Sequence, residues 1–143
     1  LVNENQRLIK DFADTDFAIK ERVAIVQLIR DTTPTEAETY FSDAIALYEK
    51  YITTPPDPQR PLVALFQIAD AYIRYDKFPE AKQTLERIKQ SYSQVPQAMQ
   101  RVSLMLQYMD RVEQERAKAS DPSQAQPSTN PDNTAQEAVT SAT

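Results

Sequence analysis

None of the 143 residues is glycine. Glycine alone takes positive φ without steric cost, so every left-handed turn in this chain must use Asn or Asp, or be avoided. A sheet of tight hairpins needs such positions repeatedly, because the favoured two-residue turns require positive φ. Helices joined by proline-marked turns need few. The same absence removes the Gly-rich loops whose backbone N–H groups close on a phosphate.

The prolines fall where helices would begin. In "TPTE", residues 33 to 36, Thr33 stands at an N-cap, Pro34 at the first helical position and Glu36 where a capping-box carboxylate belongs. In "PPDPQRP", 55 to 61, Asp57 can cap and Pro58 can open the next helix. Pro79 in "DKFPEA" and Pro96 in "SQVPQA" occupy two further first turns, where the missing N–H costs nothing. Between these marks apolar residues recur at three- and four-residue intervals. The stripes are Phe41, Ala44, Tyr48, Tyr51; Leu65, Ile68, Ala69, Tyr72; Phe78, Ala81, Leu85, Ile88; and Met99, Val102, Leu106, Met109. This period predicts helices at 17–30, 34–53, 58–75, 79–92 and 96–116. Short connections make consecutive helices antiparallel. The expected fold class is all-α.

The chain divides into three stretches. Residues 1–16 contain Val2, Ile9 and Phe12 at heptad-like spacing, which predicts an N-terminal helix or the stub of a longer tether, with "ADTD" at 13 to 16 capping a new helix. Residues 17–118 form the helical domain. From 119 to 143 the chain has no aromatic residue, Leu or Ile, so it cannot bury enough apolar surface to offset its ordering entropy. That tail is expected to be disordered.

A repeat runs through the middle stretch. Leu65, Ile68, Ala69 and Tyr72 return 34 residues later as Met99, Val102, Ser103 and Leu106, keeping the large-large-small-large order. Phe78, Ala81, Leu85 and Ile88 are echoed upstream by Phe41, Ala44, Tyr48 and Tyr51, at an offset of 37. Paired helices with this period and these residues resemble the tetratricopeptide repeat (TPR) superfamily. The small Ala69 and Ala81 would let an antiparallel pair approach closely while the larger residues fill around the contact. Ala69 and Ser103 stand where the family often has glycine, and Ser93 where it usually has proline. The likeness spans roughly residues 17 to 116, with 62–95 as the best-matched repeat. "AIALYEKYI", "EAKQTLERIKQSY" and "VPQA" are further similar to bacterial envelope members of the superfamily.

The resemblance implies a short α-solenoid of stacked antiparallel pairs ending in a capping helix, with the first helix of each pair on the concave face. Its partner-contacting positions here would be Val63, Phe66, Gln67, Asp70, Ile73 and Arg74, then Gln97, Gln100, Arg101, Leu104, Gln107 and Tyr108. Phe66 and Ile73 are large, apolar and off the core stripe. Either they floor a groove for a partner helix or extended peptide, or a neighbouring helix (17–30 or the N-terminal one) covers them. The clamp by which some members hold chaperone C-termini is not expected, since Asp70 would repel a carboxylate.

Composition narrows the function classes. The chain has neither Cys nor His, which removes disulfides, thiolate or imidazole metal sites, and Cys- or His-based nucleophilic catalysis. A net charge of −5 without a basic cluster argues against nucleic acid as a partner. No apolar run approaches the roughly 20 residues that cross a bilayer, so no direct membrane insertion is expected. Asp14 with Asp16, or Glu36 with Glu38, could pair as acid and base or hold a metal, but nearby carboxylates are ordinary on an acidic surface. Tyr48, Tyr51 and the methionines 99, 105 and 109 read more simply as packing than as a binding platform. We therefore expect no enzyme, cofactor or metal, but a protein-interaction module. The alternative is a structural or oligomerising part of a membrane-anchored assembly, with homo-oligomers included. Leu1 in place of Met leads us to expect a processed chain, and with the envelope likeness an extracytoplasmic, membrane-tethered setting.

Overall fold

The computed structural model describes residues 3, 4, 6, 7 and 15–124. Among these, five α-helices follow one another and no strand occurs: α1 (Asp16–Ile29), α2 (Pro34–Thr53), α3 (Arg60–Arg74), α4 (Phe78–Tyr92) and α5 (Pro96–Ala119), with a short 3-10 turn at Pro122–Gln124. The protein is all-α, and α1 packs on α2, α2 on α3 and α3 on α4. None of the described helices is long and apolar enough to cross a membrane.

Each helix starts by a local device. Thr15 is extended (φ −89°, ψ 149°) and its Oγ1 accepts from the N–H of Ala18 at 3.2 Å, which caps α1. Pro34, Pro61, Pro79 and Pro96 sit in the first turns of α2 to α5. Two expectations need correcting. The Thr33 side chain does not cap α2; its hydroxyl instead donates back to the Ile29 carbonyl at 3.4 Å, closing the end of α1. Pro58 does not open α3. Asp57 Oδ1 accepts from the N–H groups of Gln59 and Arg60 at 3.0 and 2.9 Å, holding residues 58 and 59 in a turn so that the helix begins at Arg60.

The turn between α3 and α4 answers the lack of glycine. Asp76 has φ 63°, the one positive φ among the described residues. The Lys77 N–H reaches the Tyr72 carbonyl at 2.8 Å and the Asp76 N–H that of Ile73 at 3.1 Å. These paired bonds are a Schellman motif, which ordinarily recruits glycine at its left-handed position. An Asp serves here because its short polar side chain tolerates that conformation better than most.

The core forms where the helices face one another. Ile25, Val26 and Ile29 of α1 meet Ala37 and Phe41 of α2 and Ala71 of α3. A second cluster joins Ile19, Ala44, Tyr48 and Ile68 from the same three helices. On α3 and α4, Ala69, Ala81, Leu85 and Ile88 are all fully enclosed. Phe41 stacks on Tyr75 with ring centroids 4.5 Å apart, and Lys77 Nζ lies 5.1 Å from the Phe41 centroid while pairing with Glu38 at 2.7 Å. Arg87 holds Glu49 through two hydrogen bonds, at 2.7 and 3.2 Å, tying α4 to α2.

By its contacts the chain divides after Asp110 into two units. In the second, helix continues to Ala119, three residues past the expected end at 116 and one residue into the stretch assigned to the tail, and Asp121 accepts from the Ser123 N–H and hydroxyl in the turn that follows. The expected disorder covers 119–143; of that stretch residues 125–143 lie outside the described residues, as do Val2, Ile9 and Phe12. Gln6, which is described, donates to the Tyr40 hydroxyl at 3.0 Å.

Candidate partner-binding face

Two adjoining clefts lie on either side of α3. The first, of about 240 Å³, runs between α1 and α3 and is lined by Lys20, Val23, Ala24 and Gln27 on one side, Gln67, Asp70, Ala71 and Arg74 on the other, with Tyr48 of α2 beneath. The second, of about 400 Å³, lies between α3 and α5 and includes Val63, Phe66, Gln67, Ala98 and Arg101. Gln67 borders both.

Polar groups in the first cleft are largely matched. Asp16 Oδ2 pairs with Lys20 at 2.8 Å, its Oδ1 accepts from Gln67 Nε2 at 3.0 Å, and Asp70 pairs with Arg74 at 2.8 Å. The Gln67 carbonyl oxygen is the exception: it is buried and has no hydrogen-bond partner. Its amide cannot simply be turned over, because that would set the oxygen against the Asp16 carboxylate. Tyr48 is buried, and burial first, then the nearby Asp16 and Asp70 charges, push its phenol well above the usual tyrosine range. It therefore keeps its proton at any physiological pH.

The second cleft is more apolar. Phe66 is only 5% exposed, so of the two alternatives left open for it the covered side chain is the one observed. It is covered from the α5 side: the Arg101 guanidinium carbon stands 4.4 Å from its ring centroid, close enough for a cation–π contact. Ile73 is half-buried.

What stays open on this face is a different apolar set. Val63 is 44% exposed, Leu104 59% and Tyr108 50%. Arg101, Leu104 and Tyr108 follow at i, i+3 and i+7 on α5, so they share one row along the helix. Gln100 is exposed as well. Of the positions that the family resemblance implied, Val63, Phe66, Gln67, Gln97 and Arg101 border the α3–α5 cleft, Gln67, Asp70 and Arg74 border the α1–α3 cleft, Gln100, Leu104, Gln107 and Tyr108 are exposed on α5, and Ile73 is half-buried. The resemblance did not include Asp16, Lys20, Ala24, Gln27 or Tyr48; in the sequence Asp16 reads only as half of a carboxylate pair and Tyr48 only as packing. The available signal was the i, i+4, i+7 row of Lys20, Ala24 and Gln27 on α1.

Against this geometry stand the comparisons with known proteins: no family model, no curated protein and no solved structure matches the chain.

Proposed function

We propose that the chain is a non-enzymatic protein-interaction module of TPR-like build, which takes a segment of a partner protein along the face formed by α1, α3 and the first turns of α5. The observation that carries this reading is the apolar row of Leu104 and Tyr108, half or more exposed beside a cleft that continues across α3 to Val63. Large apolar side chains grouped at a cleft are a usual mark of a docking surface. Substituting Leu104→Glu and Tyr108→Glu tests it, since neither side chain is core. With helicity unchanged by circular dichroism, the double variant should lose a partner that the native chain retains in affinity capture. Equal retention by both forms would place the contact elsewhere.

One observation favours a second reading, a structural part that assembles with copies of itself within a larger, membrane-anchored complex. Phe17 and Leu28 are both exposed on α1, and their separation along the helix sets them on one side. Sedimentation of the native chain and of a Phe17→Glu/Leu28→Glu variant separates the two. An oligomer that dissociates on substitution supports assembly, and a monomer in both cases removes it.

A further inference from the structure

We infer that the cleft between α3 and α5 takes a segment of a partner protein in which an Asp or Glu side chain stands beside large apolar ones, its carboxylate on Arg101 and its apolar groups against Val63, Leu104 and Tyr108. The inference rests on the interaction reading above and narrows it, from a segment of unstated chemistry to an acidic and apolar one.

Charge is the first ground. Asp and Glu make up 21 of the 143 residues, yet none falls in 58–69 or 93–109, the stretches that hold every residue lining this cleft. Arg101 is the one charged residue among those lining it, and it is exposed. Four other arginines are held by carboxylates: Arg30 by Asp31, Arg60 by Asp57, Arg74 by Asp70 and Arg87 by Glu49. No carboxylate among the described residues pairs with Arg101. In a protein of net charge −5, this cleft therefore carries an uncompensated positive charge.

The second ground is how that charge is held. The Arg101 guanidinium lies over the buried Phe66 ring, 4.4 Å from its centroid. A guanidinium on a ring uses its flat face there, while its five N–H groups lie in its plane and leave through the edge. Two of those donors match the two oxygens of a carboxylate. The ring also takes up side-chain freedom that a long surface cation would otherwise lose on pairing, which is one reason exposed ion pairs contribute so little. Arg101 is thus set for a carboxylate in a way that a solvated Lys or Arg is not.

The rest of the cleft selects what surrounds the acid. Leu62, Val63, Val95 and Ala98 complete its apolar lining. Leu104 and Tyr108 continue from Arg101 along α5, 59% and 50% exposed. The row from Arg101 to Tyr108 is about 10 Å long, so two or three side chains of one segment span it. Nucleic acid would need several cations in line, and this cleft offers one. A fatty acid has the same carboxylate and an apolar tail, but a site for a small molecule encloses most of its surface. Val63 and Leu104 are too open for that.

The test is a nitrogen–proton NMR titration of the full chain with three probes. These are the blocked peptide acetyl-Glu-Leu-Phe-Glu-Leu-amide, its counterpart with Gln at both Glu positions, and sodium octanoate. The Glu peptide should move the Arg101 side-chain N–H signal and the Val63 and Ala98 amides saturably, and bind at least about fivefold more tightly than the Gln peptide, the size of one charge-assisted hydrogen bond at a partly open site. Arg101→Gln, with helicity checked by circular dichroism, should abolish that preference. Equal binding of the two peptides, a preference that survives in Arg101→Gln, no response to either peptide, or octanoate binding as tightly as the Glu peptide would each overturn the inference. The Leu104→Glu/Tyr108→Glu capture is read separately. A partner lost there, with no discrimination between the Glu and Gln peptides, would sink this inference and leave the module reading standing.

Discussion

Asp76 and Tyr48 show how single residues carry constraints that belong to the whole chain. At φ 63° a Cβ is crowded by backbone, at a cost of about 1–2 kcal/mol for ordinary residues and less for Asp or Asn. Asp76→Val should therefore lower stability by about that amount in urea unfolding, with Asp76→Asn much milder. The composition alone announced that any such turn would fall to an Asp or Asn; whether one occurs, and where, depended on where α3 stops, and that is set by packing. Tyr48 makes a prediction about pH. Its native pKa lies above the unfolded value of 10.0, so the unfolded chain releases the proton first as pH rises. Stability from this group is complete below pH 10 and declines above it. Tyr48→Phe should flatten that alkaline decline, readable as the midpoint of urea unfolding between pH 9 and about 11. Nothing in the sequence distinguished Tyr48 as the phenol beneath a cleft, since its spacing marks only a core position.

Among the elements, the prolines and the three-and-four spacing made all five described helices legible, with ends within two or three residues. Caps were less so, because Thr33 has a hydroxyl that can serve either of two helices and the carbonyl of Ile29 is nearer to hand. Thr15 does cap α1, and Thr15→Ala should cost about 1 kcal/mol of stability. The α3–α4 contact offers a sharper test. Ala69 and Ala81 are both wholly enclosed, so there is no room for a longer side chain. Ala81→Leu should destabilise by about 1–3 kcal/mol through overpacking, although it adds apolar volume and helix propensity. An increase in stability would show that the two helices do not depend on small residues to approach. At Phe66 the sequence left two readings open, for a reason at this scale too. Whether a side chain off the core stripe is exposed depends on the next helix, and the reach of Arg101 back onto its ring is invisible in local spacing.

At the scale of the molecule, one face of the first unit collects both clefts and the Leu104–Tyr108 row, while the charges around the α1–α3 cleft are already matched. The family resemblance implied positions on α3 and α5 alone, and it named no contact position on α1, whose apolar pattern departs from that of the later helices. The glycine-free backbone has one more consequence, best seen from the unfolded side. Exchanging a glycine for alanine ordinarily stabilises a protein by about 0.4–1 kcal/mol, chiefly by stiffening the denatured chain. This polymer is already stiffened at every residue, with ten prolines besides. An engineer seeking a hardier version has no glycine left to replace, and must look to packing and caps.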